Sequence, residues 1–426
     1  TAPVDCFVHV AGGTVQGTGE TGVFRFTDGS SWTSGAFNGQ TQVINSATLS
    51  VYGDTGDLRR MQTSARIDVD GTLLWQGPGT IQGFNSNIIE ISSGGVLELS
   101  GDGNIFSQFN GGHQLINHGK ILRSTSSGVA TLHYFTTTSD GEIIADSGSL
   151  EFRIGLGLAD GSVISGAGRT VIAGGRTTLL GTTSVTGSTF ELAGAELYAL
   201  PADNGILTDG TIEWSSGTIS GKVTWDSIAT TTGGGFRQLN TGAELNNAGT
   251  LTLANSGSIR SFNSCVLRNL PGATLHATGQ VGLTQFNGGN QLINEGTMII
   301  GASPGRMIIN YPFVQTTTGR LEVGIAGSNP ATPEFDILQV NGSATLAGTL
   351  AANLEGGYAP APGTSFEILT STGRSGVFES VVASRFSATY PLIGDPPRSL
   401  NNVVLVANAS NSLSYGDWAE GYGLSG

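Results

Sequence analysis

The chain has 426 residues, of which 67 are glycine and 12% are charged, and its formal net charge is −14. That balance lacks the basic footprint of a nucleic-acid binder, and no run approaches the roughly 18 apolar residues of a membrane-spanning helix. Lysine occurs only at Lys120 and Lys222 and strong amphipathic helix patterns are absent, so the composition points to an all-β chain in a solvated, extracellular setting.

The opening TAPVDCFVHV has neither a basic region nor an apolar core, and reads as a mature form after signal cleavage or as a trimmed chain. Residues 1–11 read as an N-terminal strand and cap, on which Val4, Cys6, Phe7 and Val8 are placed to add to a neighbour's sheet.

From 12 to 326 the sequence is periodic. Phe84-Asn85 and Phe109-Asn110 are followed at the same step by Tyr134, and the series returns as Leu239-Asn240, Phe262-Asn263, Phe286-Asn287 and Tyr311. A second column sets glycine before a short alternating strand at Gly71, Gly95, Gly119 and Gly141, and again at Gly249, Gly272, Gly296 and Gly319. Two columns agreeing on a period of about 24 predict a right-handed parallel β-solenoid, each repeat one coil stacked on the last. Phe84, Phe109 and Tyr134 are expected to stack inside it, as are Phe262, Phe286 and Tyr311. Asn85, Asn110, Asn263 and Asn287 are candidates for amide ladders at the turn. Glycine is expected before each strand because it accepts positive φ at a tight corner.

Residues 58–143 also realign on 236–321 at an offset of 178, falling to 177 through the middle, so that SQFNGGHQLINHGKI faces TQFNGGNQLINEGTM. Copying a block of coils extends a solenoid without a new core, because each coil touches only its neighbours.

Groups able to do chemistry are few. Asp68 and Asp70 could share a strand face as paired acids, but their counterparts are Asn246 and Ala248, and a solvated strand face is the stronger reading. Asp54 and Asp57 read as a turn before a weak Ca²⁺ site. His113, His118 and His133 lack acidic or cysteine partners at ligand spacing and read as exposed turn residues rather than metal ligands. Cys6 and Cys265 read as small buried thiols, with a bond between subunits as the second possibility. Asn341-Gly-Ser and Asn408-Ala-Ser match the glycosylation sequon. No cofactor or metal is implied.

Residues 327–410 change texture to short, antiparallel-looking strands with Pro and Gly turns, and 411–426 form a tail holding Tyr415, Trp418 and Tyr422 as candidate self-assembly anchors. The segments FDILQVNGSATLAGTL, GTSFEIL and GRSGVFES resemble the β-strand region that closes many bacterial secreted β-helix and autotransporter-like passenger proteins. The resemblance implies a C-terminal module that caps the last coil. The final SYGDWAEGYGLSG is similar to the linker that precedes a PEP-CTERM-type sorting signal in surface proteins of Verrucomicrobia-like bacteria. That likeness implies a bacterial, secreted or cell-surface protein, with no membrane insertion in this form.

The uniform coils lead to the expectation of a non-enzymatic extracellular structural protein whose main partner is itself, joined head to tail as a filament. One alternative is an adhesin for cell-surface or matrix glycans, which needs exposed aromatics; Trp32, Trp75, Trp214 and Trp225 are its candidates. The other is a polysaccharide-active β-helix enzyme, which needs a groove with converging Asp, Glu and Arg.

Overall fold

The computed structural model describes residues 4–17, 23–54, 56–102, 104–108, 110–133, 135–254, 258–301, 304–329, 334–383, 385–391 and 401–409. Among them the regular elements are β-strands, most of them short, in which burial alternates residue by residue as the pleat dictates. Each coil strand pairs in parallel with the third strand before it and the third after. Gly79–Gly83 lies between Leu58–Met61 and Asn104–Gln108, and Ile88–Ile91 lies between Arg66–Val69 and Gln114–Asn117. Three strands therefore make a coil, and the fold is a parallel β-solenoid of about 14 turns, roughly 22 residues apart.

The chain forms two compact units, Thr1–Leu251 with Ile259–Cys265 and Thr252–Ser258 with Val266–Gly426. In the first, three faces repeat in order. One contains Arg66–Val69, Ile88–Ile91, Gln114–Asn117, Thr136–Ser139, Leu156–Ala159 and Arg176–Leu180. The second contains Thr72–Trp75, Val96–Leu99, Lys120–Arg123 and Glu142–Ala145, and the third Leu58–Met61, Gly79–Gly83 and Asn104–Gln108. On the second face Leu49, Leu73, Leu97, Ile121, Ile143 and Ile164 stand in register, all fully buried. One aliphatic side chain per coil in this column lets coils of varying length share a core.

The glycine column has a different cause from the one expected. Gly71, Gly95, Gly119, Gly141, Gly249, Gly296 and Gly319 do not adopt positive φ; of the column only Gly272 does, at +85°. A Cβ at any of those seven would fall within 3.0 Å of a backbone oxygen of the preceding coil. The column marks close approach of neighbouring coils, with no room for a side chain.

The solenoid begins earlier than expected: Val4–Cys6 already pairs with Phe24–Phe26, and His9–Gln16 with Ser31–Asn38, so residues 4–11 belong to the first coil. In the second unit the parallel ladder also runs past the expected boundary at Ala326. Leu275, Met298, Leu321, Leu350 and Val381 are successive partners, at steps of 23, 23, 29 and 31 residues. The change of texture at 326 comes from longer corner loops such as GGYAPAPG, which hide the period without ending it. Among the described residues, antiparallel pairing is seen, apart from one bridge between Ile325 and Phe335, in Phe386–Thr389, Val403–Ala407 and the start of Ser365–Gly376. That small sheet is the capping element, and its Phe386 packs edge-on against Phe366 at 5.6 Å.

The duplicated blocks do not fall on the same face. Arg237–Leu239 pairs with the Gly217–Ile219 stretch, which continues through Glu196–Ala199 to Arg176–Leu180 on the first face. Its counterpart Leu58–Met61 lies on the third face. The second copy starts one face out of step with the first.

Candidate functional site

Of the aromatic columns read from sequence, Phe84, Phe262, Phe286 and Tyr311 are corner residues. Phe286 is 68% exposed and Phe84 and Phe262 are half-exposed, whereas Tyr311 is buried; Phe109 and Tyr134 lie outside the described residues. The reason is register: Leu239 pairs with Ser261, so Phe262 falls one position beyond the strand end, where the chain turns outward. The aromatics that fill the first unit are others. Trp75 meets Phe106 at 5.0 Å, and Phe106 meets Phe135 at 5.0 Å.

The predicted asparagines are likewise at the turn, with Asn110, Asn263 and Asn287 exposed. Asn85, at φ +48°, donates its amide to Thr63 Oγ1. A buried amide ladder exists elsewhere, in the second unit. Asn269 Nδ2 donates to Asn294 Oδ1 at 2.9 Å and Asn294 Nδ2 to Gln315 Oε1 at 3.3 Å, while Gln315 Nε2 reaches Thr349 O at 3.0 Å. Asn117 of the first unit similarly donates to Ser139 Oγ at 2.9 Å. The signal was present as QLIN, the strand that both copies share.

Another inward corner position takes a different residue in each coil. Asn87, His113 and Phe135 occupy it in the first unit, and Asn290 and Tyr311 in the second. His113 is therefore buried, not an exposed turn residue. Its Nδ1 accepts from Asn87 N at 3.2 Å, its Nε2 faces Asn110 O, and its ring stacks on Phe135. Burial holds its pKa below the usual histidine value, a shift the bond to Asn110 partly offsets. Cys265 sits at the equivalent corner, 1% exposed, with Sγ 3.0 Å from Asn240 O; burial pushes its thiol pKa up, which makes it an inert packing group. Cys6 is half-buried on the first strand.

The remaining sequence candidates are occupied by structural contacts. Asp68 accepts from Arg66 Nε and Gln40 Nε2, each at 2.6 Å, and Asp70 from Gln42 Nε2 at 2.5 Å. Asp54 and Asp57 close a turn on each other. His118 pairs with Asp140 at 2.7 Å on the surface, and burial lowers the pKa of half-buried His133. Trp32, Trp75, Trp214 and Trp225 are all fully buried, so none of the four offers a platform to a ligand. Among the described residues no cluster of His, Cys, Asp and Glu fits a metal ion. Two arginines at equivalent places in the two copies, Arg59 and Arg237, are also fully buried, and burial lowers both pKa values. Arg237 donates to Trp214 O at 2.6 Å and Gly233 O at 2.7 Å, tying down the turn before it.

Two surface features remain. The first is a hollow on the first face of the first unit, where Ile116, Thr138, Gly157 and Thr178 are successive outward neighbours. Gly157 and Ala159 leave a floor between Ile116 and Leu180, a cavity of about 110 Å³. Thr138 joins it to a second cavity of about 290 Å³ lined by Gly112, His113, Gln114 and Thr136. It leaves no mark in the sequence, because GLGLA lies beyond the duplicated block and carries no reactive group.

The second is the pair of strand edges. Val4–Cys6 and His9–Gln16 each pair on one side, with no partner on the other among the described residues, and Phe7 beside them is 69% exposed. In the second unit, Gly373–Gly376 and Ser380–Val382 are open in the same sense, with Val377 46% and Val382 52% exposed. The third strand of that coil is covered by antiparallel Val403–Ala407. Tyr415, Trp418 and Tyr422 lie outside the described residues.

No protein-family model matches the chain, and no curated protein matches it. Among solved structures, the crystal structure of the Haemophilus influenzae Hap adhesin is similar, with 10% identity and a TM-score of 0.27 over 91% of this chain. The match takes in 64% of that chain, less than two thirds of its length, and nothing about function follows from it.

Proposed function

We propose that the chain is a non-enzymatic structural β-solenoid of the bacterial cell surface or extracellular space, and that copies join head to tail. The observation that carries this reading is the pair of open parallel edges. Unpaired backbone N–H and C=O groups at a sheet edge recruit another strand, and a head-to-tail contact that does not close into a ring propagates. Exposed Phe7 at one edge and Val377 and Val382 at the other supply apolar area where such a contact would form. The carboxylates that an enzyme would use, Asp68 and Asp70, are held by Arg66, Gln40 and Gln42, which supports a scaffold over a catalyst.

The test is assembly measured by sedimentation velocity and electron microscopy over a range of concentrations, with Asp5→Pro as the blocking variant. Cys6 O accepts from Thr27 N within the sheet, so by strand alternation the N–H of Asp5 points to the open edge. Proline there removes an outward donor and spares the inward bonds. Wild type is expected to form filaments and Asp5→Pro to stay monomeric with an unchanged melting profile. Wild type that stays monomeric at every concentration refutes the proposal, as do filaments that Asp5→Pro leaves unaffected.

A further inference from the structure

We propose that the hollow running from Gln114 to Leu180 binds a neutral sugar residue of an uncharged polysaccharide. Its depth comes from lost side chains on a flat sheet: Gly157 and Ala159 stand where the adjoining coils carry Thr138, Thr178 and Leu180. The floor and the flanking Ile116 and Leu180 offer aliphatic surface to the C–H face of a pyranose. Exposed Thr136, Thr138 and Gln114 offer hydroxyl and amide groups to its hydroxyls.

Charge selects among occupants. Asp140 at the rim is paired with His118 at 2.7 Å, nearby Lys120 with Glu142 at 3.1 Å and Arg176 with Glu196 at 2.7 Å, so each of these basic groups already has an acidic partner and none is offered to a phosphate or a uronic acid. Size selects as well. Cavities of about 110 and 290 Å³ lie at or below the small-molecule range of roughly 300–1,000 Å³. A protein partner would need a contiguous interface of about 1,000 Å² or more. Coils spaced roughly 4.8 Å apart repeat at close to the length of one pyranose residue, so a chain lying along the face meets one coil per sugar. The sheet holds every contributing side chain on a regular strand, which keeps the cost of ordering low.

Affinity electrophoresis of the full chain through gels cast with dextran, xylan, galactomannan or mixed-linkage β-glucan tests this, with polygalacturonate as the charged comparison. Retardation is expected in at least one neutral gel and not in polygalacturonate. Gly157→Gln fills the hollow, and its Cβ would lie 3.6 Å from Thr138 Cγ2 and 3.9 Å from Thr137 O, ordinary contacts that leave the fold intact. It is expected to weaken binding about tenfold or more, and shape-preserving Thr138→Val about fivefold. Val171→Gln, outward on another face, should change nothing. Thermal melts accompany each variant, and if Gly157→Gln melts early then Thr138→Val decides. Migration unaltered by all four neutral polysaccharides overturns the proposal, as does retardation confined to polygalacturonate or undiminished in the folded hollow variants.

Discussion

At the scale of the residue, position on the coil outweighs residue type. Phe286 and Tyr311 belong to one sequence column, yet one is 68% exposed and the other 1%. Phe286→Ala is expected to shift stability by no more than about 0.5 kcal/mol, and Tyr311→Ala to cost about 3–5 kcal/mol, read as urea midpoints. The ladder residue Asn294 should also be costly. Asn294→Leu would leave Gln315 Oε1 and Arg320 O without their donor inside the coil, at roughly 1–3 kcal/mol for each orphaned group. His113 adds a pH dependence whose sign is fixed. Its folded pKa lies below the ordinary histidine value of about 6.5, so between the two values the unfolded chain binds the proton more readily. The stabilisation is complete above about pH 6.5 and is lost as pH falls through the folded pKa. Asn290 makes the equivalent bond in the second copy, Nδ2 to Asn287 O at 2.6 Å. His113→Asn should therefore fold and flatten the acid limb of the stability–pH curve, leaving the part due to His133. An unchanged limb in thermal melts between pH 5 and 7 would rule this out.

At the scale of the element, the period was legible and the register was not. The glycine column and the alternation in GVLEL or GTLTL gave the parallel coil, because close approach and the pleat act locally. Which residue of Phe-Asn closes a strand depends on where the chain leaves the sheet. A slip of one residue reverses inside and outside there, and composition does not fix it. The hollow was illegible for a related reason, since two small residues make a site only if both point outward and their neighbours are longer. The same logic separates two glycines. Gly119→Ala would place a methyl within 3.0 Å of Gly95 O and is expected to cost about 1–3 kcal/mol, while Gly111, with nothing within 4 Å and no positive φ, should accept alanine without loss. Equal denaturation midpoints for the two variants would remove close approach as the cause of the column.

At the scale of the whole molecule, the duplication and the cap bear on how the chain is used. Within the first unit the strand that opens the second copy, Arg237–Leu239, lies on the first face and its counterpart Leu58–Met61 on the third, so this strand was not copied onto one face. Val403–Ala407 covers the start of Ser365–Gly376 with antiparallel hydrogen bonds, and Phe386 closes over Phe366. A chain truncated after Val382 would bare this edge together with the buried ring of Phe366, turning an open end of two strands into one of three beside an apolar core. Static light scattering should show it associating at lower concentration than the full chain, into irregular aggregates. Adding Asp5→Pro to the truncated chain should not prevent this, because the bared edges can pair with one another. A truncated chain that remains as monomeric as the full one would mean that the antiparallel strands contribute packing alone and do not limit association.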